Sequence, residues 1–249
     1  MQIAASTRCY SSDSMKDCCG KLVDHGFRKV ELCLNEEGPA VLKPSTVLEN
    51  PERASHQFSE ATRLTPVAID LESDVDGATF KAIVAFARAL KLTQISVTSS
   101  VVGTPFNTEI DRLKEFTKLA AEGGVRVSMK THSGCLTEDP HTAVELCQSV
   151  KGLGITLDPS HYICNPRGVV DHDIVFPHVY HCHFRDTLPE QLQVQAGLGE
   201  VDYSRCLSML RQTDFDAAAS VDLLPGTDDE NFEYPLEMRK LRMLLESLL

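Results

Sequence analysis

Three short segments of the chain carry acids and histidines of the kinds that bind metals or transfer protons. The segments are GITLDPSHY, HVYHCHFRD and AAASVDLLPG, and they contribute Asp158, His183 and Asp222. Each reads as a β-strand that ends near one of these side chains, on the face opposite its apolar residues. Two carboxylates and one imidazole suit a divalent cation such as Mn, Co, Zn or Mg. We therefore predict that Asp158, His183 and Asp222 meet as metal ligands.

Taken singly, each of these residues has an ordinary explanation. A histidine near the end of a strand is more often a structural or surface residue than a ligand. An aspartate before Pro-Ser, as at Asp158, is frequently a turn or cap residue. The prediction rests instead on the three residues occurring together. They lie at three successive strand ends, and each lies on the face opposite the apolar residues of its strand.

The segment GVRVSMKTH adds two basic side chains to this set. Lys130 and His132 lie two residues apart and therefore share one face of a predicted strand, while Val127 and Met129 take the other face. The alternative is that Lys130 is an exposed lysine without a role. Its position on the face of the strand opposite the apolar residues argues against this alternative. Lys130 and His132, together with Asp222, are the predicted catalytic residues.

The elements that would position these residues alternate regularly along the chain. Strands are predicted at residues 2–6, 29–32, 66–70, 94–98, 125–130, 154–158, 179–184 and 218–222. Helices are predicted at residues 13–25, 50–63, 78–90, 109–122, 142–151, 202–213 and 232–248, and the acidic run at residues 228–230 is expected to open the last one. This alternation predicts an α/β fold, a single (β/α)8 TIM barrel over residues 1–249.

The parity of the predicted strands favours a closed barrel over an open sheet. In the sixth strand Ile155 and Leu157 form one face, and Gly154, Thr156 and Asp158 form the other. The fourth, fifth and eighth strands show the same division. An open doubly wound sheet would have strands that are apolar on both faces. A lumen lined by small and polar residues is instead expected where the mouth of a barrel carries chemistry.

Bulk properties exclude several classes of partner. The net charge of −12 disfavours binding to nucleic acid, which requires clustered lysine and arginine. No signal peptide and no membrane span are expected, because no apolar run approaches the required length. The nine cysteines contain no CxxC pair. They favour a reduced, cytoplasmic protein whose thiols are mainly small core residues. The sequence leaves a homo-oligomer open.

The same motifs resemble the xylose isomerase-like barrels. This family includes sugar isomerases and epimerases, hydroxypyruvate isomerase-like proteins, dehydratases and endonuclease IV. GFRKVELCL resembles the second strand of the family, ITLDPSHY its Asp-Pro-Ser-His strand end, VYHCHFRD its His-x-x-Asp strand end, and GLGEVDYSRCLSML its glycine-containing loop. The resemblance covers nearly the whole chain and is densest from Val125 to Asp222.

The resemblance implies a metal held by Glu, Asp, His and Glu on the fifth to eighth strands, with the two glutamates moving substrate protons. Asp158 and His183 match this pattern well, and Asp222 is a shortened match for the last glutamate. The fifth strand departs from it, because Lys130 stands where the family has glutamate. A protonated lysine has no lone pair with which to bind a metal.

A lysine ammonium about 4 Å from a divalent ion costs on the order of 8 kcal/mol at an effective dielectric near 20. Lys130 could lose its proton, because burial beside a cation depresses the pKa of lysine. It could turn away and leave a weakened metal site. We favour a third arrangement, in which the site is metal-free and Lys130 pairs with Asp158 and Asp222 in place of the ion.

The function expected from these residues is an isomerase or epimerase of a small sugar, sugar phosphate or hydroxy-keto acid. Its chemistry would be proton transfer next to a carbonyl, and a dehydratase of the same family is a related expectation. We predict that Glu31, His161 and Arg185 contact the substrate. Gly197 and Gly199 are a weaker candidate for a phosphate cradle. The alternative is a non-catalytic barrel that binds a ligand or partner after loss of the metal and base.

Overall fold

The strands alternate with helices as the sequence predicts. A computed structural model describes residues 1–226 and 231–249; the acidic run at residues 228–230 lies outside the described residues. The strands are β1 Gln2–Ser6, β2 Lys29–Leu34, β3 Thr65–Leu71, β4 Gln94–Thr98, β5 Arg126–Lys130, β6 Leu153–Leu157, β7 Val179–Phe184, β8 Asp186–Leu188, β9 Gln191–Val194 and β10 Ala218–Val221. The helices are α1 Met15–Asp24, α2 Pro44–Glu49, α3 Pro51–Ala61, α4 Gly77–Ala89, α5 Phe106–Glu122, α6 Pro140–Ser149, α7 Ser160–Ile163, α8 Tyr203–Gln212 and α9 Tyr234–Ser247.

Eight of the described strands close into a parallel barrel. Their order around the barrel is β1-β10-β7-β6-β5-β4-β3-β2, and β2 returns to pair with β1. The predicted (β/α)8 TIM barrel is confirmed. Because all eight strands run in one direction, their C-terminal ends meet at a single mouth.

Helix α2 and the hairpin formed by β8 and β9 were not expected from the sequence. The short helix α2 begins at Pro44, where a missing backbone N–H is tolerated, and it spans only six residues. The strands β8 and β9 pair as an antiparallel hairpin beside the mouth. The connection after β6 holds only the single turn α7 and a 3-10 segment at Asp173–His178.

Aspartates define the starts of three of the outer helices. Asp76, Asp139 and Asp202 each accept a hydrogen bond from the backbone N–H three residues later, at 2.8, 2.9 and 2.9 Å. Such side chains satisfy a donor that the first turn of a helix leaves unpaired. These caps fix where α4, α6 and α8 leave the loops that follow the barrel strands.

The lumen of the barrel is filled by small polar side chains. Thr156 lies 2.6 Å from Ser96 and 2.5 Å from Ser128 between hydroxyl oxygens, and Gln94 donates to Ser128 at 2.5 Å. The outward residues of the same strands, such as Met129, are buried under the helices in the apolar core. Hydrogen bonding satisfies the buried hydroxyls, and the small side chains leave a floor beneath the mouth.

All nine cysteines lie in the described part of the chain and are free. Burial raises the pKa of the Cys147 and Cys206 thiols to about 12, which keeps both in the unreactive neutral form. Cys164 alone is half-buried. Among the described residues, no helix combines the length and apolar character needed to cross a membrane.

The thiol environments predict a simple reaction pattern with DTNB at pH 8. The native protein should show one fast equivalent, from Cys164, and nine equivalents after unfolding. Cys164→Ser should remove the fast phase, whereas Cys147→Ser should leave it unchanged. Several thiols reacting rapidly in the native protein would contradict this account of the core.

Candidate functional site

Charged side chains from most of the barrel strands converge at the mouth. Each lies within the last residues of a strand or just after it, where the parallel strands end together. We call this set the mouth network; its members are Arg8, Asp70, Glu72, Lys130, Asp158, Arg185 and Asp222. It contains four carboxylates and three basic side chains, two arginines and one lysine. Most of these side chains are buried, so their charges must be balanced locally.

Arg185 occupies the centre of one half of the mouth network. Its Nη2 atom lies 2.8 Å from Oδ2 of Asp158 and 2.6 Å from Oδ2 of Asp222. Its Nε donates to the backbone oxygen of Asp222 at 2.9 Å. The strand order explains this contact, because Arg185 follows β7 and the neighbours of β7 are β6 and β10, which supply the two aspartates.

Lys130 belongs to the other half of the network. Its Nζ lies 2.9 Å from Oδ1 of Asp70 and also pairs with Glu72, which in turn pairs with Arg8. The predicted pairing of Lys130 with Asp158 and Asp222 is therefore wrong. Lys130 reaches toward β3 across β4, and the two aspartates already hold Arg185.

Arg8 joins the two halves. Its Nη1 lies 3.2 Å from Oδ2 of Asp222, and its Nη2 lies 3.4 Å from Oδ2 of Asp70. Burial alone would raise the pKa of Asp222, but the charges of Arg8, His183 and Arg185 outweigh it and hold that pKa well below its ordinary value. Asp222 is accordingly a carboxylate at neutral pH, and it is fully buried and paired with Arg8 and Arg185.

A second layer of polar groups lies beneath the network. Nε2 of His181 and Nε2 of His183 each lie 3.0 Å from the carboxylate of Glu31, and His181 is also 3.1 Å from the hydroxyl of Ser220. Burial opposes protonation of His183, but Glu31 and Asp222 raise its pKa to about 9. Glu31 was predicted to contact substrate; it is instead fully buried and bonded to the two histidines.

A pocket of about 240 Å³ opens above the network. Polar groups on its wall include Arg8, Glu72, His132 and His161, and Leu192 of the β8–β9 hairpin contributes an apolar wall. Arg185 lines the same pocket. Of the residues predicted to be catalytic or to contact substrate, His132, His161 and Arg185 therefore share one pocket.

His132 has the form of a neutral base. Its Nδ1 lies 2.7 Å from the backbone oxygen of Ser133, which can only accept, so Nδ1 carries the hydrogen and Nε2 keeps its lone pair. Burial lowers the pKa of His132, and the charges of Lys130 and Arg8 lower it further. The imidazole is neutral at pH 7 and is half-buried on the pocket wall.

His161 lies against His132, with ring centroids 4.4 Å apart. Its Nδ1 accepts from the backbone N–H of Ser133 at 3.2 Å, and its Nε2 is 3.8 Å from Oδ2 of Asp158. Burial, together with Arg185 and neighbouring positive groups, lowers the pKa of His161 to about 3 despite Asp158. His161 is therefore neutral, and its Nε2–H faces Asp158.

Side chains of metal-ligating type meet at the mouth as predicted. Ligand atoms of Asp158, His183 and Asp222 all lie within 4.8 Å of one another. Metal–oxygen bonds of about 2.0–2.2 Å would place the ion where Nη2 of Arg185 contacts both carboxylates. A fixed positive charge about 3 Å from a divalent ion costs on the order of 10 kcal/mol. With Arg185 in this position, the three residues do not fit a divalent cation.

Gly197 and Gly199 do not form the phosphate cradle considered from the sequence. Their backbone N–H groups donate to Oδ2 of Asp186 at 2.7 and 3.1 Å. A Cβ at Gly199 would lie 2.2 Å from Oδ1 of Asp186, so the glycine is required for this close approach. Both amides are used in ordering the loop before α8.

Sequence reasoning missed Arg8 and Glu72. Arg8 lies in the turn after β1, and Glu72 is the first residue after β3. Both follow a predicted strand within two residues, and this position was the feature of the sequence that could have indicated a role in the site. Neither belongs to a recognisable motif, so nothing in the spacing distinguishes them from solvated loop charges.

The chain belongs to the xylose isomerase-like TIM barrel family, whose model matches residues 19–243. This confirms the resemblance inferred from the motifs. No curated protein matches the chain in sequence.

Solved structures share the fold over their whole length. A probable 3-DHS dehydratase, AsbF from Bacillus anthracis, is 19% identical, with 97% of this chain and 98% of that chain covered and a TM-score of 0.70. A D-allulose 3-epimerase from Methylomonas sp. is 12% identical, with coverages of 100% and 98% and a TM-score of 0.76. The IOLI protein, solved with a binding zinc atom, is 16% identical, with coverages of 100% and 96% and a TM-score of 0.71. At these identities the likeness shows the fold alone.

The buried carboxylates and His183 contribute stability that is lost at opposite ends of the pH range. The pKa values of Glu31, Asp158 and Asp222 are lowered, so their contribution is lost as the pH falls below about 4. The pKa of His183 is raised from 6.5 to about 9, so its contribution is full below pH 6.5 and is lost as the pH rises toward 9.

Urea unfolding at pH 6 and pH 8 tests the alkaline side. The wild type should lose about 2 kcal/mol more than His183→Gln between these pH values. His56→Gln, at an exposed histidine, is the matched control and should behave like the wild type. Equal losses in the wild type and His183→Gln would contradict the raised pKa of His183.

Proposed function

We propose that this protein is an isomerase or epimerase of a small, unphosphorylated sugar or hydroxy-keto acid. The observation that carries the proposal is the composition of the pocket wall. A neutral imidazole with a free Nε2, at His132, lines the same pocket as the guanidinium groups of Arg8 and Arg185. A base and a source of positive charge are the two groups that proton transfer next to a carbonyl requires.

The reaction proceeds through an enediolate. Nε2 of His132 removes a proton from the carbon next to the carbonyl; the electron pair of that C–H bond forms a C=C bond, and the carbonyl oxygen takes the negative charge. A guanidinium on the wall, Arg8 or Arg185, stabilises this oxygen. The imidazolium delivers the proton to the neighbouring carbon while the hydroxyl proton of the enediolate passes to the former carbonyl oxygen, which gives the isomer. The epimer forms when a water molecule protonates the original carbon on its opposite face and the imidazolium returns its proton to the hydroxide left behind.

The lowered pKa of His132 suits this role. A base must be unprotonated at the working pH, and burial and neighbouring cations keep His132 neutral. Lys130 is less suited to act as the base, since its ammonium is buried in ion pairs with Asp70 and Glu72. We assign Lys130 a positioning role, in which it holds Glu72 on the pocket wall.

The charges of the mouth argue against a phosphorylated substrate. The mouth network has four carboxylates against three cations, and a dianion would enter a region that is already net negative. The amides of Gly197 and Gly199 are bound to Asp186. A pocket of about 240 Å³ matches a compact substrate. The sugar epimerases among the structural relatives support a sugar-like substrate by analogy.

A non-catalytic, ligand-binding barrel is the second candidate. Its support is the lysine at the position of the fifth-strand acid, paired with Asp70 and Glu72. Such a protein would bind a sugar in the pocket without exchanging its protons.

Incorporation of solvent deuterium distinguishes the proposed enzyme from the ligand-binding barrel. A panel of unphosphorylated ketoses and hydroxy-keto acids is incubated with the protein in D₂O and followed by NMR. We expect exchange next to the carbonyl of at least one compound. We also expect His132→Asn to slow this exchange by about 10²- to 10⁴-fold, the contribution typical of a general base.

His56→Gln, which changes an exposed histidine, should exchange at the wild-type rate. A compound that binds without any exchange would contradict the proposed enzyme and support the non-catalytic, ligand-binding barrel. Exchange that is equally fast in His132→Asn would remove His132 from the base role.

A further inference from the structure

We infer that the guanidinium of Arg185 takes the place of the divalent cation that the family pattern expects between Asp158 and Asp222. We infer also that its Nη1 supplies positive charge to the substrate oxygen; this second part rests on the proposed function. The protein would then use the positive charge of an arginine side chain where the family pattern uses a bound metal ion.

The first support is the contact geometry of Nη2. One nitrogen bridges Oδ2 of Asp158 at 2.8 Å and Oδ2 of Asp222 at 2.6 Å, which are the two carboxylates of the expected ligand set. The Nε of the same side chain is tied to the backbone of Asp222. Arg185 is 1% exposed, so no alternative surface position competes with these contacts.

The second support comes from a different strand. The family pattern has a glutamate at the end of the fifth strand, and this chain has Lys130 there. Lys130 turns away from Asp158 and pairs with Asp70 and Glu72. The ligand set therefore has a lysine where the family pattern has an acid, and a guanidinium lies between its two aspartates; both features lower the affinity of the position for a divalent cation.

The third support is an unsatisfied donor. Nη1 of Arg185 is buried and has no hydrogen-bond partner within residues 1–226 and 231–249, and neither has Oδ1 of Asp222. Arg185 is part of the pocket wall. A buried guanidinium donor without a partner is costly, and an oxygen of a bound substrate would satisfy it. That oxygen is the one that becomes negative in the enediolate.

Manganese titration tests the first part without any assay of activity. Chelator-stripped wild type is compared by calorimetry with the double variant Arg185→Ala/Lys130→Glu, which restores the acid and removes the guanidinium. We expect no Mn²⁺ binding to the wild type in the micromolar range and at least about 100-fold tighter binding to the double variant. The control Arg205→Ala/Lys118→Glu makes the same changes of charge at exposed positions and should behave like the wild type.

Stoichiometric micromolar binding of Mn²⁺ by the wild type that is abolished in Asp158→Asn would overturn the inference. This comparison uses the wild-type site and remains decisive if circular dichroism shows that the double variant is unfolded. A folded double variant that binds Mn²⁺ no better than the wild type would also overturn it.

The catalytic part is tested on whichever compound exchanges in D₂O. Exchange by the wild type should survive treatment with EDTA and fall at least about 100-fold in Arg185→Met. Loss of exchange with EDTA and its recovery with Mn²⁺ would overturn the inference while leaving the proposed function intact. Absence of exchange with every compound would remove the proposed function, and the manganese titration would still decide the first part.

Discussion

The contact of one guanidinium with two carboxylates is the constraint around which the mouth is arranged. Asp158 and Asp222 come from strands on either side of β7, and Arg185 at the end of β7 pairs with both. Without that charge, two buried carboxylates would face each other across the lumen, which is unfavourable unless an ion is bound. Arg8 then reaches Asp222 from β1 and shares Asp70 with Lys130.

The pairing of these charges separates the mouth into groups that hold the structure and groups that can react. Asp158 and Asp222 are held as carboxylates, and the Glu31–His183 pair lies beneath them. His132 and His161 lie outside these pairs, and their lowered pKa values keep them neutral. His132 therefore stays unprotonated next to a cluster of charge, because the neighbouring cations oppose its protonation.

The sequence was sufficient to predict the barrel but not the pairing of its charges. Within each strand, an inward residue such as Thr156 or Ser220 alternates with apolar outward residues. This alternation is a local property of the strand and can be read from the sequence. The partner of Lys130 depends on which side chains reach across β4 and on which acids are already neutralised. Arg8 and Glu72 enter the site through those long-range contacts, and their spacing in the chain carries no signal of them.

A crystal grown in MnCl₂ and measured at a wavelength with anomalous manganese signal tests the central claim most directly. The account predicts planar guanidinium density between Asp158 and Asp222, with Arg185 Nη2 in contact with both carboxylates, and no anomalous peak at that position. A strong anomalous peak bonded to both aspartates, with the Arg185 side chain displaced, would contradict it.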